Sequence, residues 1–189
     1  MNCSIEEIKE YLKKNLSEYR YNHSIRVMEE AKKLAIHYNC DVNKCMLCGL
    51  THDIAKEYSD LDNKEIIDKY KISKDMLKDF SSKTIHGLIG SFVVLDKYNF
   101  SSDMVMAIRY HTTGYPSMDL LAKIVYLADK IEVGKSYPLI EEERRLAYID
   151  IDKALIFCLE NQIRKLKKEN KTVNKLALDT LESLVKQMN

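Results

Sequence analysis

Apolar residues recur at steps of three and four positions along almost the whole chain, which is the period of amphipathic α-helices. Ser4 and Glu7 form a capping-box pattern before the first such stretch, and Asp41 is a candidate N-cap for the third. We expect residues 58–63 to form a polar crossing and Ser101 with Ser102 to cap a later helix. The predicted helices span about residues 5–16, 18–38, 42 to the pair His52-Asp53, 62–70, 73–80, 86–95, 103–110, 119–132, 141–148, 150–168 and 173–188.

The composition supports an all-α fold. Only five Gly and two Pro occur among 189 residues, too few for a protein with many tight β-turns. With 46% hydrophobic residues the chain can build one substantial core, and we find no linker between domains. We therefore predict a single domain over residues 1–189, a helical bundle with short loops.

Charge and hydropathy limit the partners. The net charge of +1 gives no broad field for nucleic acid or an anionic membrane, so we expect neither as a partner. No apolar run approaches the roughly 20 residues of a membrane span, and the first residues lack the pattern of a secretory signal. We expect a cytoplasmic protein.

Five cysteines, an odd number in a chain without a secretion signal, are expected to be reduced thiols. Cys40, Cys45 and Cys48 have a spacing that also occurs among iron–sulfur ligands. Their apolar neighbours favour the alternative, in which they are small buried residues on a helix.

The dipeptide His52-Asp53 stands in an otherwise apolar segment. Neighbouring side chains on a helix point about 100° apart and seldom share a surface. The flanking Leu50 and Ile54 suggest that both side chains face inward, where an unpaired carboxylate is costly. A bound cation removes that cost, because imidazole and carboxylate both bind zinc, iron or manganese. A capped helix end is the alternative that the pair alone leaves open.

Other residues extend this candidate site. His23 lies four positions before Val27 on an inward helix face, where a buried core histidine is the alternative, and Asp129 interrupts a strongly apolar helix. The candidate metal ligands are His23, His52, Asp53, His86, His111 and Asp129. Six ligands are too many for one catalytic ion with an open position, whereas two ions bridged by Asp53 would use them all. Paired ions are typical of phosphoryl transfer.

Five segments carry a resemblance to a known family: His23-Ser-Ile-Arg26-Val27, Thr51-His-Asp-Ile-Ala-Lys56, His86-Gly-Leu-Ile-Gly90, His111-Thr-Thr-Gly114 and Ala128-Asp-Lys-Ile-Glu132. In this order they resemble the HD-domain metal-dependent phosphohydrolases. The resemblance is closer still to the YqeK-type members, which hydrolyse diadenosine tetraphosphate symmetrically to two ADP using iron. The resemblance covers about residues 19–147, leaving the C-terminal helices of 150–189 outside it. One departure is Val133-Gly134-Lys135, where the family commonly has Pro-Gly-Arg.

The resemblance implies a dinuclear centre of iron, with manganese and zinc as alternatives. His23, His52, Asp53 and Asp129 would hold one ion, and Asp53, His86 and His111 the other. Arg26 and Lys56 each follow a ligand by three residues, so both can meet phosphates, although a solvated charge is the alternative for each. The expected catalytic residues are Asp53, Arg26 and Lys56, and the expected substrate contacts are His23, Arg26, Lys56, Lys83, Thr112, Thr113, Gly114, Lys135 and Arg144.

The resemblance implies a hydrolase of dinucleoside polyphosphates, with a small nucleotide as its substrate. Two rivals stay open: another nucleotide phosphohydrolase, such as a 5′-nucleotidase or cyclic-dinucleotide phosphodiesterase, and a nucleotide-sensing domain without turnover. The amphipathic pattern of the C-terminal helices leaves open whether they cover the site or form a homodimer contact.

Overall fold

Eleven α-helices make up most of residues 4–188, the part of the chain that the computed structural model describes. No strand occurs within those residues, so the predicted all-α class is confirmed. The helices are α1 (Ile5–Asn15), α2 (Glu18–His37), α3 (Val42–Thr51), α4 (Asp60–Tyr70), α5 (Lys74–Lys78), α6 (Ile85–Tyr98), α7 (Ser102–Arg109), α8 (Leu120–Ile131), α9 (Ile140–Ala147), α10 (Ile151–Lys168) and α11 (Lys175–Met188).

Side-chain caps begin most of these helices. A Ser or Asp oxygen accepts a backbone N–H from the first turn, which satisfies a group that the helix itself leaves unpaired. The predicted capping box of Ser4 and Glu7 is present. Ser101 precedes α7, but its side chain makes no capping hydrogen bond; its hydroxyl donates to the Asp103 carboxylate. The side-chain caps are Ser4, Ser17, Asp41, Ser59, Ser73, Asp119 and Asp150.

Several predicted boundaries are wrong; α6, for example, continues to Tyr98 instead of ending near residue 95. The third helix ends at Thr51, so His52 is its C-cap and Asp53 lies in the following turn. The polar crossing is shorter than predicted, since Ser59 and Asp62 form a capping box and α4 already begins at Asp60. The polar residues Asp60 and Asp62 therefore belong to the first turn of α4.

Helix α8 lies at the centre of the bundle. Most of its residues are buried, including the large side chain of Tyr126. It packs against α2, α3, α7, α9 and α10, and α2 in turn packs along α3. These contacts place the chain segments that carry His23, His52 and Asp129 next to one another.

Two glycines permit close helix packing beside the candidate ligands. A Cβ on Gly49 of α3 would lie 3.0 Å from the Val27 carbonyl oxygen of α2. A Cβ on Gly87 of α6 would lie 2.7 Å from the carbonyl oxygen of Arg109, at the end of α7. Because a side chain at either position would separate the helices, these glycines allow the histidine-bearing segments to approach.

The other predictions about buried groups agree with the structure. Cys45 and Cys48 are fully buried on α3, and the four cysteines of residues 4–188 are free; Cys3 lies outside the described residues. His37 is exposed at the end of α2. Within the described residues, no helix has the length and apolar character needed to cross a membrane.

Candidate metal centre

The structure brings the six predicted metal ligands into one buried cluster. Two groups of three have all their ligand atoms within 4.8 Å of one another: His23 with His52 and Asp129, and His52 with Asp53 and His111. His86 joins the second group, with its Nε2 3.1 Å from both His111 Nε2 and Asp53 Oδ1. The residues come from α2, the ends of α3 and α7, the first turn of α6, and α8.

The two carboxylate oxygens of Asp53 face different histidine pairs. Oδ1 lies 3.1 Å from His86 Nε2 and 3.6 Å from His111 Nε2. Oδ2 lies 3.6 Å from His52 Nε2 and 4.0 Å from His23 Nε2. Asp53 thus stands between the two halves of the cluster, as a carboxylate shared by two cations would.

The ends of two helices orient the histidines. His52 directly follows α3 and its Nδ1 lies 2.8 Å from the Gly49 carbonyl oxygen, three residues earlier. His111 repeats this arrangement after α7, with its Nδ1 2.7 Å from the Ile108 carbonyl oxygen. Carbonyl oxygens only accept hydrogen bonds, so each Nδ1 carries the proton and each Nε2 presents a lone pair to the cluster.

His23 is oriented in the same way by a carboxylate. Its Nδ1 lies 3.0 Å from Glu132 Oε1, and its Nε2 lies 3.1 Å from Asp129 Oδ1. An imidazole nitrogen and a carboxylate oxygen that face each other in a buried site are suited to bind one cation together. The donor set therefore fits a divalent metal, with the second contact of each histidine fixing the ring.

Burial keeps two of the imidazoles neutral. It lowers the pKa of His52 to about 3 and that of His86 to about 4. Burial raises the pKa of the Asp129 carboxyl, but the Lys130 ammonium and the contact with His23 outweigh this and hold it well below its usual range. Neutral imidazoles beside ionised carboxylates are the protonation states that metal binding requires.

Glu132 belongs to the site although the sequence argument used it only as a motif residue. It is almost fully buried and accepts hydrogen bonds from Arg26 as well as His23, with Arg26 Nε 2.6 Å from Oε2. The Gly134 backbone N–H donates to the same carboxylate. The spacing of three from Asp129 on one helix was the available signal.

Cationic side chains surround the cluster. Lys56 Nζ lies 3.1 Å from His86 Nε2, and Lys135 Nζ lies 3.6 Å from Asp129 Oδ1. Sequence reasoning missed two others: Arg20 Nη1 is 3.2 Å from Asp53 Oδ2 and Lys130 Nζ is 3.3 Å from Asp129 Oδ2. Arg20 precedes His23 by three on α2, a spacing that could have revealed it. The side chains of these residues and of Arg26 are 23–31% exposed, so solvent reaches them.

The segment after His111 lies beside the cluster and is held by the C-terminal helix. Gly114 has a φ of +67°, and a Cβ there would lie 2.6 Å from Thr180 Cγ2 on α11. Thr113 donates its hydroxyl to the Gly114 carbonyl, whereas the buried Thr112 Oγ1 has no hydrogen-bond partner among the described residues. Of these two hydroxyls, Thr112 is the one left available to a ligand.

Two expected substrate contacts lie elsewhere. Arg144 donates to the carbonyl oxygens of Ile131, Glu132 and Lys135, so its guanidinium holds the loop after α8. Lys83 is exposed in the turn before α6. Neither side chain contacts the cluster.

Comparison with known proteins agrees with this geometry. Residues 20–134 match the family model of the HD domain. The chain is 35% identical over 175 residues to the symmetrical bis(5'-nucleosyl)-tetraphosphatase of Halalkalibacterium halodurans, which covers 92% of this chain and 93% of that protein. The Bacillus subtilis protein of the same name is 36% identical over 169 residues, or 89% of this chain and 90% of that protein.

A solved structure is similar over nearly the full length. It is described as a predicted HD superfamily hydrolase involved in NAD metabolism, from Clostridium acetobutylicum. The TM-score is 0.88 at 32% identity, with 98% of each chain covered. The chain therefore belongs to the HD domain family and, within it, to the family of the symmetrical bis(5'-nucleosyl)-tetraphosphatases.

Proposed function

We propose that this protein hydrolyses diadenosine tetraphosphate symmetrically, giving two ADP, at a dinuclear metal centre. The observation that carries the proposal is the position of Asp53, whose two oxygens face His23 and His52 on one side and His86 and His111 on the other. The substrate and the symmetrical cleavage come from the relatives, which bear that activity in their names.

In this proposal His23, His52, Asp53 and Asp129 hold one ion, and Asp53, His86 and His111 hold the other. Divalent ions bound there supply charge neutralisation at a phosphoryl group and activation of water. Glu132 keeps His23 oriented, and the carbonyls at the ends of α3 and α7 do the same for His52 and His111.

The surrounding cations bind the tetraphosphate. Lys56 stands at the His86 end of the cluster, and Lys130 and Lys135 stand at the Asp129 end. A polyphosphate that crosses the cluster would meet positive charge on both sides. Thr112 Oγ1, buried and without a partner among the described residues, is a candidate donor to a phosphate or ribose oxygen.

We further propose iron as the resident metal and the cytoplasm as the location. Imidazole and carboxylate suit iron, manganese and zinc alike, so the choice of iron rests on the resemblance to the YqeK-type members. Free cysteines, four of them among the described residues, support a reducing compartment.

Product analysis tests the proposal. The protein is reconstituted with ferrous iron under anaerobic conditions, and diadenosine tetraphosphate is followed by chromatography beside a metal-free control. ADP as the only nucleotide product, formed only with metal, is the expected result. ATP plus AMP would refute symmetrical cleavage, and absence of turnover with iron, manganese and zinc, together with tight nucleotide binding, would favour a sensing domain.

A further inference from the structure

The loop between α8 and α9, residues 132–139, carries two groups of the proposed site. Glu132, at its start, orients His23, and Lys135 Nζ lies 3.6 Å from Asp129 Oδ1. The loop contains no helix or strand, and a Lys side chain loses much rotamer freedom when it is ordered. The position of the ammonium beside Asp129 therefore depends on the contacts that fix the loop.

Glu143, on α9, is a buried carboxylate that the proposed function has not used. It accepts a hydrogen bond from the Tyr137 hydroxyl in the loop and another, at 3.4 Å, from the Asn161 side-chain amide of α10. A buried carboxylate is costly unless its oxygens are hydrogen-bonded, so these donors are needed to keep Glu143 inside. The carboxylate thereby joins the loop to α10.

Tyr137 also connects the loop to α8. Its hydroxyl donates to Glu143 and lies 3.0 Å from the carbonyl oxygen of Lys130, in the last turn of α8. Burial and the hydrogen bond to Glu143 raise the pKa of Tyr137, so the phenol keeps its proton and remains a donor. The ring itself packs against the hydrophobic core. A single hydroxyl thus fixes the second half of the loop to the helices on either side of it.

Arg144 holds the loop at Lys135 itself. Its Nη2 lies 3.1 Å from the Lys135 carbonyl oxygen. Leu139, the last residue of the loop, has a φ of +74°, which a branched side chain adopts only where neighbouring contacts impose it. The backbone is therefore held at residue 135 by Arg144 and two residues later by the contact of Tyr137 with Glu143.

We propose that Tyr137 and Glu143 are positioning residues that hold Lys135 beside the metal cluster, assisted by Arg144 through the Lys135 carbonyl. The inference rests on the proposed function in one respect, namely that Lys135 binds a phosphate group there. None of the three side chains touches the phosphate in this assignment. They lower the entropy that is lost when the Lys135 ammonium binds, because the loop is already ordered.

A double-mutant cycle tests the assignment. The two readouts are KM for diadenosine tetraphosphate and the affinity of the Mn²⁺-loaded protein for inorganic phosphate, measured by calorimetry. We expect Tyr137→Phe, which removes only the hydroxyl, to weaken both about three- to tenfold, the size of one hydrogen bond. Glu143→Ala, which removes the acceptor, should weaken both by a similar factor. In a Lys135→Ala background either change should have almost no effect, because the group that is positioned is absent.

Tyr148→Phe is the matched control. The Tyr148 hydroxyl donates to the buried Glu30 carboxylate at 2.7 Å, so it forms the same kind of pair, at the other end of α9 from the loop. This variant should lower the thermal midpoint as Tyr137→Phe does, yet leave KM and the phosphate affinity as in wild type. Equal losses of phosphate affinity in the two variants would assign the effect to general stability and overturn the proposal.

Two other results would also overturn the positioning role. One is a loss in Tyr137→Phe that has the same size with and without Lys135, and the other is a phosphate affinity that Lys135→Ala does not lower. Because phosphate binding needs no turnover, the failure of the two proposals can be told apart. A wild-type chain that releases no ADP but shows the expected coupling in phosphate affinity would refute the proposed hydrolysis and support the positioning role.

Discussion

His23 Nδ1 lies 3.0 Å from Glu132 Oε1, although 109 residues separate them. The contact fixes the imidazole so that Nε2 faces Asp129. Glu132 is itself held by Arg26 and by the Gly134 backbone N–H, so one buried carboxylate connects the orientation of a candidate ligand to a surface loop. Residues that contact ligands in this way are usually needed for full metal affinity.

Replacing Glu132 by Gln should weaken metal binding about 10- to 100-fold. The amide keeps the shape of the side chain but removes the negative charge to which Arg26 and His23 both donate hydrogen bonds. Competition with a chelator of known affinity measures the change for Mn²⁺. Glu6→Gln, on the exposed face of α1, is the control, and equal affinities in the two variants would show that Glu132 does not support the site.

Gly134→Ala should raise KM for diadenosine tetraphosphate roughly tenfold, because it displaces Arg26, an expected phosphate contact. A tenfold change corresponds to the loss of one charge-assisted hydrogen bond. A Cβ at Gly134 would lie 2.5 Å from Arg26 Nε, so the guanidinium has to move away from Glu132. Val133→Ala changes the neighbouring residue, whose side chain is exposed, and should have no such effect. A KM that rises equally in both variants would assign the effect to the loop backbone instead of Arg26.

The helices were predictable from the period of their apolar residues, and the six candidate ligands from polar residues in apolar surroundings. His23 and Asp129 interrupt apolar helix faces, and a charged or polar residue there needs a partner. The end of α3 was predicted less well. The helix ends at Thr51, and His52, whose backbone angles are still helical, is its C-cap.

Contacts that depend on long-range packing left no clear trace in the sequence. Glu132 can orient His23 only because α2 lies next to the end of α8. Arg144 donates to backbone carbonyls at the end of α8, and local sequence does not predict that contact. These features arise from tertiary packing between segments that are distant in the sequence.

The cap of α10 should give a pH-dependent contribution to the free energy of unfolding. Asp150 Oδ1 accepts the backbone N–H groups of Lys153 and Asp152, and these bonds lower the pKa of its carboxyl. Because the folded-state pKa lies below the unfolded one, the stabilisation is complete above the unfolded value of about 3.8, declines as the pH falls below it, and is lost once the pH passes the folded value.

Asp150→Asn isolates this contribution, because Asn keeps the cap but does not titrate. Urea unfolding at pH 7 and near pH 3.5 should show a wild-type advantage of a few tenths to about 1 kcal/mol at pH 7 that shrinks at the lower pH. Asp75→Asn, on an exposed side chain of α5, is the control. An advantage that stays constant or grows on acidification would contradict the assignment.

Removing the Asp53 carboxylate should make the thermal stability of the protein independent of added metal. Wild-type protein is expected to melt at a higher temperature as Mn²⁺ or Fe²⁺ is added, since a ligand at about 100 times its Kd adds about 2.7 kcal/mol to the free energy of unfolding. Asp53→Ala should lose bound metal, the thermal response and turnover together, because Asp53 faces all four histidines. Its circular dichroism should stay helical, since the helices are capped and packed independently of this side chain.

Asp68→Ala, on the exposed face of α4, is the control and should respond to metal as wild type does. Retained turnover in Asp53→Ala would refute the bridging role and, with it, the dinuclear assignment.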